Sequence, residues 1–269
     1  MVVFFRGLRD GLLTTRWPKH HDMYFDQFPA AVEVVPRRDP RAGDRRILRR
    51  AAEAAAQCPT AAIAVAEMPE LDRGKCILCG RCVAAAPEWF DWEQGAATAR
   101  LRRDALVVSP VAETGEALDV VRSELAKRVR RLRRSVHLRH VDAGSDGSDE
   151  WEVNALTNPV YDVHRLGIFF TASPRHADIL LVTGIGTTGM TEPLRRTFEG
   201  MPRPTVVIAV GTDAIGGGII GGGYTGGTGI GGLAPVDVWV PGSPASPFSL
   251  LHGILLALGR LPAASRSAS

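Results

Sequence analysis

Four cysteines, Cys58, Cys76, Cys79 and Cys82, fall within 25 residues, and three of them have the spacing C-x2-C-x2-C. Any fold for this chain must bring those four thiols to a common centre. Cysteines clustered in a chain without a secretory leader point to metal ligation rather than to disulfides. Thiolates three residues apart on a tight loop reach separate corners of a small cluster, while the fourth arrives from a distant turn. Gly80 lies inside the run, where the loop must fold around inorganic sulfur. Two centres satisfy such a donor set, an iron–sulfur cluster and a four-cysteine zinc site. Zinc ribbons favour paired C-x2-C knuckles, so the spacing favours iron and sulfur.

The remaining composition is that of an ordinary globular protein. A chain of 269 residues is long for one compact domain and short for three, so two domains are expected. With 45% hydrophobic and 23% charged residues it has material for a sizeable core, which excludes wholesale disorder. Lys and Arg number 32 against 29 Asp and Glu, a net charge of +3 that is too balanced for a dedicated nucleic-acid binder unless the charge is segregated. No apolar run reaches the roughly 18 residues of a membrane span. The N-terminus places Arg6, Arg9 and Asp10 among its apolar residues, which makes a poor signal peptide and implies a cytosolic compartment.

Cys58 is followed by Pro59, as in the run C-x2-C-x2-C-x3-C-P of two-cluster ferredoxins, whose last cysteine serves the other cluster. On these motifs residues 40–90 resemble a bacterial-type ferredoxin in which one of two cluster sites is erased. Counting back from Cys58 by that family's spacing reaches Leu48, Ala51 and Ala54, and the residue before Pro87 is Ala86. One ligand set is therefore lost as a whole and the other, Cys58, Cys76, Cys79 and Cys82, is kept as a whole. The resemblance implies a single 4Fe-4S cluster, with the Ala-rich stretch Arg49 to Gln57 forming a helix in place of the lost cluster loop.

Upstream, Phe4, Phe5, Leu8, Leu12 and Leu13 share one helical face, with Arg6, Arg9 and Arg16 among them, and Trp17-Pro18 ends the pattern. An ordinary packing helix accounts for this. The segment also looks like the leader of ferredoxin-type subunits of respiratory complex I and energy-converting hydrogenases, which implies a place against the membrane arm. Farther on, Leu118, Val121, Leu125, Val129 and Leu132 recur at helical spacing, and Lys127, Arg128, Arg130, Arg131, Arg133 and Arg134 close that helix. Cations suit a helix C-terminus, so a solvated face explains much of the charge, and contact with an acidic partner or an anionic lipid surface is the functional option. This helix reads as a connector between domains, and nucleic acid is not expected as a partner.

From Ser135 the apolar segments Val136 to Val141, Trp151 to Thr157, Ile168 to Phe170, Ile179 to Thr183, Glu192 to Glu199, Val206 to Val210, Val236 to Val240 and Pro247 to Leu261 alternate as strands and helices. Continuous apolar strands with helices between them indicate a parallel sheet covered on both faces. Within it Gly184, Gly186 and Gly189 form a G-x-G-x-x-G run after a strand, the setting of a dinucleotide fingerprint, with Asp213 a loose candidate for the ribose acceptor. A competing explanation covers the whole segment. His137 to Ser145, Ala155 to Pro159, Ala172 to Gly184, Pro193 to Phe198 and Pro241 to Pro244 look like the small subunit of energy-converting nickel–iron hydrogenases and its complex I counterpart. That resemblance makes the glycine loop a structural turn. It also implies a second 4Fe-4S site whose cysteine positions here read Asp146, Asp149, Asp213 and Ser243, so no thiolate remains and the domain is expected to be redox-silent. Three uses are open to those oxygens: polar filler of a former cluster cavity, a proton site, or a hard divalent cation.

The expected fold class is α/β, an N-terminal ferredoxin-like α+β module followed by a C-terminal flavodoxin-like parallel-sheet domain. The boundaries are a membrane-proximal leader at residues 1–30, the one-cluster domain at 31–100, the basic connector at 101–134, the small-subunit-like domain at 135–262 and a tail at 263–269. The resemblance implies a fused electron-transfer subunit on the cytoplasmic face of a complex-I-like or hydrogenase-related membrane complex. Its partners would be a hydrogenase-large-subunit-like protein and membrane subunits. A structural scaffold without electron throughput and a nucleotide-binding reductase are the alternatives.

Overall fold

The structure, a computed structural model, describes residues 11, 13–35, 45–109, 125, 127, 129 and 135–261. The expected leader positions Phe4, Phe5, Leu8 and Leu12, most of the basic connector and the tail at 263–269 lie outside the described residues. Of the connector, Leu125, Lys127 and Val129 are helical, with Leu125 and Val129 buried and Lys127 exposed.

The C-terminal half contains the predicted parallel sheet. Strands β6 (Val136–Asp142), β7 (Ile168–Phe170), β8 (Ile179–Thr183), β9 (Val206–Val210) and β10 (Val238–Val240) lie in the order β10-β9-β8-β6-β7, all parallel. Counted from its own first strand, this is the 2-1-3-4-5 order of a flavodoxin-like sheet. The pleat sends alternate residues to opposite faces. Ile179 and Leu181 of β8 and Val206, Ile208 and Val210 of β9 enter one core, while Leu180, Val182, Val207 and Ala209 enter the other. Every residue of β8 and β9 is buried, which is why these strands read as continuous apolar runs rather than as alternating ones.

Helix α4 (Ser148–Ala155) starts three residues before the apolar segment at Trp151, so Asp149 lies in its first turn. Helix α5 (Thr188–Glu199) follows β8, the short α6 (Gly211–Gly216) follows β9, and α7 (Pro247–Ala257) ends the domain. The last helix stops before the expected Leu261 because Gly259 takes a left-handed backbone, φ 63°, and turns the chain out of the helix.

The N-terminal part is smaller. Strand β1 (Ala31–Val34) pairs antiparallel with β4 (Phe90–Glu93), and β2 (Ile63–Val65), β3 (Pro69–Asp72) and β5 (Val107–Val108) form a second antiparallel sheet. Helix α2 (Arg45–Ala56) and the single-turn α3 (Arg81–Ala85) pack on them. The predicted helix at Arg49 to Gln57 is present, begins earlier, and buries Ala51 and Ala54 against Leu71, Trp89 and Phe90. Ala86 is buried in the same core. Three of the positions where a second ligand set would stand are thus occupied by small core side chains.

Residues 13–30 dock on the parallel-sheet domain. Asp22 caps the short α1 (Met23–Gln27), and Trp17 stacks on Phe25 at 4.5 Å with Phe248 of α7 edge-on to both. The Thr15 N–H donates to the Val160 carbonyl at 2.8 Å, and Arg165 donates to the Trp17 carbonyl. The strap at residues 96–101 does the same at the far edge: Arg100 bridges Trp239 of β10 through backbone bonds, and Ala96, Ala99 and Leu101 enter the core shared with α7.

Candidate metal centre and the carboxylates beside it

Cys58 leaves the end of α2, Cys76 and Cys79 lie in the loop after β3, and Cys82 lies in α3. All four line one pocket with the apolar side chains Val32, Ala54, Ile63, Leu71 and Ile77. Cys76 and Cys82 are buried, Cys58 is half-buried, and Cys79 faces solvent. Burial first, and then the charges of Cys82, Cys58 and Cys79, push the Cys76 thiol up to about 11. Burial raises Cys82 as well, with Cys79 and Cys58 adding to it. Backbone N–H groups aim at the sulfurs: Ala62 donates to Cys58 Sγ at 3.3 Å, Leu78 to Cys76 and Val83 to Cys82. Donors placed in this way stabilise negative sulfur, and a cation is what would complete the site. Among the described residues no three His, Cys, Asp or Glu side chains stand close enough to share a single metal ion.

A buried hydroxyl ties the cysteine loop to the parallel-sheet domain. Thr212 of α6 places its Oγ1 3.0 Å from the Cys76 carbonyl and 2.9 Å from the Gly242 carbonyl, and it is itself buried. Gly242 belongs to the loop that carries Ser243.

In an open parallel sheet the loops at the carboxyl ends of neighbouring strands meet in one crevice. The segments after β6, β9 and β10 carry Asp146 and Asp149, Asp213, and Ser243; β9 and β10 are neighbours in the sheet, and β8 separates β9 from β6. The four positions do not share one environment. Asp149 is 3% exposed, and its Oδ1 accepts from the Ala245 N–H at 2.9 Å. Burial pushes its carboxyl up to about 8, against that hydrogen bond and with help from the charges of Asp213, Glu150 and Asp146. Asp213 is buried over Gly218 and is pushed up to about 6, by burial first and then by Asp146 and Glu150. Asp146 is exposed and held below the usual carboxylate range by the Ser148 hydroxyl and N–H. Ser243 is exposed beside a cis proline. The structure therefore buries Asp149 and Asp213 and leaves Asp146 and Ser243 exposed. Gly211, at φ 81°, is where Asp149 fits, since a β-carbon there would meet its Oδ2 at 1.9 Å.

The glycine fingerprint is used for chain packing. A β-carbon on Gly184 would strike the Gly144 backbone at 2.7 Å, and one on Gly186 would strike the Gly229 carbonyl at 2.9 Å. At the start of α5 the Thr188 N–H donates to the Thr225 carbonyl at 2.9 Å and the Thr187 N–H to Ala143 at 2.8 Å. The two amides at the start of this helix that would face a pyrophosphate are spent within the protein.

Residues 147–257 match the family described as NADH ubiquinone oxidoreductase, 20 Kd subunit. A protein of Pyrococcus furiosus named probable membrane-bound hydrogenase subunit mbhJ is 40% identical over 144 residues, which is 52% of this chain and 86% of that one. The chain belongs to this family. Formate hydrogenlyase subunit 7 of Escherichia coli is 36% identical over 141 residues, so the chain spans 55% of that relative's length. A chain from the membrane-bound sulfane sulfur reductase, an archaeal respiratory membrane complex, shares 28% identity over 51% of this chain and 79% of its own, with a TM-score of 0.43. The 20 Kd subunit family match lies wholly within the parallel-sheet domain and includes Asp149, Asp213 and Ser243. No helix among the described residues is long and apolar enough to cross a membrane.

Sequence reasoning missed three features. These are the Thr212 bridge, the His140–Thr183–Glu150 hydrogen-bond chain, and His252, fully buried in α7 with both ring nitrogens lacking a hydrogen-bond partner. The first two join residues far apart in the chain, and none of the three has a local spacing to announce it.

Proposed function

We propose that this chain is an iron–sulfur electron-transfer subunit of a hydrogenase-related, complex-I-like membrane complex, with one 4Fe-4S cluster held by Cys58, Cys76, Cys79 and Cys82. The observation that carries this reading is the convergence of those four sulfurs on one apolar pocket lined with N–H donors. A four-iron cluster ligates each thiolate at a different corner. One zinc ion would instead draw all four sulfurs to about 2.3 Å from a common centre. The C-x2-C-x2-C spacing, in place of paired C-x2-C knuckles, suits the cluster better. Bound there, the cluster would supply one-electron transfer. The chain's own part is to exclude water with Val32, Ile63 and Leu71 and to set the cluster's affinity for an electron with its N–H donors.

The Pyrococcus relative, named as a membrane-bound hydrogenase subunit, supports peripheral attachment to such a complex. A large-subunit-like partner, membrane subunits and a cytoplasmic face belong to the same proposal. So does a ferredoxin-like origin for residues 31–100. The parallel-sheet domain carries oxygens at Asp146, Asp149, Asp213 and Ser243 where a thiolate set would stand, and it is redox-silent in this reading.

That silence also favours a second reading, a scaffold subunit without electron throughput, because an electron on the cysteine centre meets no further thiolate set in this chain. Iron and acid-labile sulfide analysis of anaerobically purified protein decides between them. About four of each per chain supports the electron carrier. A protein without iron supports the scaffold, and stoichiometric zinc overturns the cluster.

A further inference from the structure

Two independent features place Trp92 against the cysteine loop. In the β1–β4 ladder Trp92 lies opposite Val32, and directly opposed residues of an antiparallel pair project from the same face. Val32 is fully buried and lines the cysteine pocket, so the indole is carried toward the same side. The second feature is Gly80, which also lines that pocket and lies between Cys79 and Cys82. A β-carbon on Gly80 would meet Trp92 Cζ2 at 3.0 Å and Cη2 at 3.7 Å, so the six-membered ring of the indole rests on the glycine. Gly80 also has a left-handed backbone, φ 70°, at the start of α3. Glycine is thus required there twice, for the backbone and for the ring. Trp92 is half-buried and packs on the core that contains Cys76 and Cys82, while Cys79, next to Gly80, faces solvent.

We propose that Trp92 is a positioning residue for the cysteine centre, clamping the Gly80 turn and keeping water from the sulfurs at that turn. The inference rests on the reading of the four cysteines as ligands of a 4Fe-4S cluster. Trp92 acts through Gly80. The turn sets where Cys79 and Cys82 stand, and the Val83 N–H reaches the Cys82 sulfur only while α3 starts where the turn puts it. Apolar cover around such a site controls solvent access and the local dielectric, and with them the potential. Gain of one electron adds negative charge to a site that already carries four thiolates, and water stabilises added charge better than an apolar wall does. Loss of the indole therefore makes reduction easier and opens the sulfurs to oxidants.

Trp92→Ala, Trp92→Leu and Trp92→Phe in the full chain test this, with iron and acid-labile sulfide measured first. Trp92→Ala should raise the reduction potential, followed by electron paramagnetic resonance during a dithionite titration, by about tenfold in the reduction equilibrium, or about 59 mV for one electron. Its visible absorption should bleach in air several-fold faster than that of wild type. Trp92→Leu, the milder truncation if alanine prevents folding, should shift both in the same direction by less, and Trp92→Phe should bring both back toward wild type. Loss of iron from Trp92→Ala that Trp92→Phe recovers supports the clamp equally. Full iron with unchanged potential and bleaching rate in the alanine and leucine variants overturns it. Wild type without iron overturns the cluster reading instead, and the clamp is then read on the free thiols. A neutral maleimide should label Cys76 and Cys82 faster in Trp92→Ala than in wild type, and equal rates overturn the proposal.

Discussion

The Thr212 hydroxyl lies 3.0 Å from the Cys76 carbonyl, joining the cysteine loop to the parallel-sheet domain in the buried interior. The same oxygen is 2.9 Å from the Gly242 carbonyl, so one hydrogen is shared between the loop of the metal centre and the loop of Ser243. Gly242 also accepts from the Thr212 N–H at 2.7 Å. Thr212→Val therefore leaves Gly242 with a donor and takes the hydroxyl away from Cys76. We expect a loss of about 1–3 kcal/mol in denaturant unfolding, the usual cost of stranding a buried polar group. Thr212→Ser should lose less, and an unchanged midpoint for the valine variant would show that this contact does not hold the two parts together.

Cys79 is the solvent-facing member of the quartet, so its replacement disturbs the fold least. Cys79→Ser should lower iron and acid-labile sulfide from about four per chain to a small remainder while far-ultraviolet circular dichroism stays near wild type. Full iron retention would remove Cys79 from the ligand set. About eight irons per chain would show that a second centre exists.

His252 sets an acid limit on stability. Burial, helped by the nearby Arg100 cation, pushes its imidazole down to about 3, while the unfolded chain titrates near 6.5. Between those values the unfolded state binds a proton that the folded state refuses. Stability contributed by the neutral ring is thus complete above about pH 6.5 and falls as pH drops toward 3, by at most about 1.4 kcal/mol per pH unit. His252→Leu should flatten that slope in unfolding experiments at pH 4 to 6 and raise stability at pH 5, since it also removes two unpartnered buried nitrogens. A slope equal to that of wild type would place the acid limit elsewhere.

Asp149 acts with the opposite sign. Its carboxyl is pushed up to about 8 in the folded protein against about 3.9 in the unfolded chain, so the folded state binds the extra proton and stability is lost as pH rises from 4 toward 8. Asp149→Asn keeps an acceptor for the Ala245 N–H and removes the charge. It should stabilise the protein at pH 8 and leave it nearly unchanged at pH 4, as read by thermal unfolding. If EDTA lowers the wild-type melting temperature and the Asn variant is less stable at pH 8, a divalent cation rather than a proton neutralises that carboxylate.

With Gly184 and Gly186 packed against backbone and the α5 amides already bonded, NADH should give no saturable rise in melting temperature. Micromolar binding by calorimetry would restore the nucleotide reading.

The sequence by itself determined the elements that depend on local pattern. Apolar runs bounded by glycine placed β6 to β9 within a residue of where they lie, and Ala51 and Ala54, three apart, made one buried face of α2. The C-x2-C-x2-C spacing picked out the cysteine loop before any fold was known. Tertiary structure decided which chemically similar residues share an environment. Asp146 and Asp149 are three apart in sequence, yet one is held ionised by Ser148 at the rim and the other is buried against Gly211, because the helix start at Ser148 turns only the second inward. The strand order 2-1-3-4-5 brought β9 beside β8 and so put Asp213 near Asp149, and it put Thr183 beside His140. Likewise, the docking of Trp17 on Phe248 follows from an aromatic pocket assembled by chain ends 231 residues apart, and no local period encodes it. Contacts across such separations depend on topology and on competition for burial, whereas helices, strands and ligand loops are set by neighbours a few residues away.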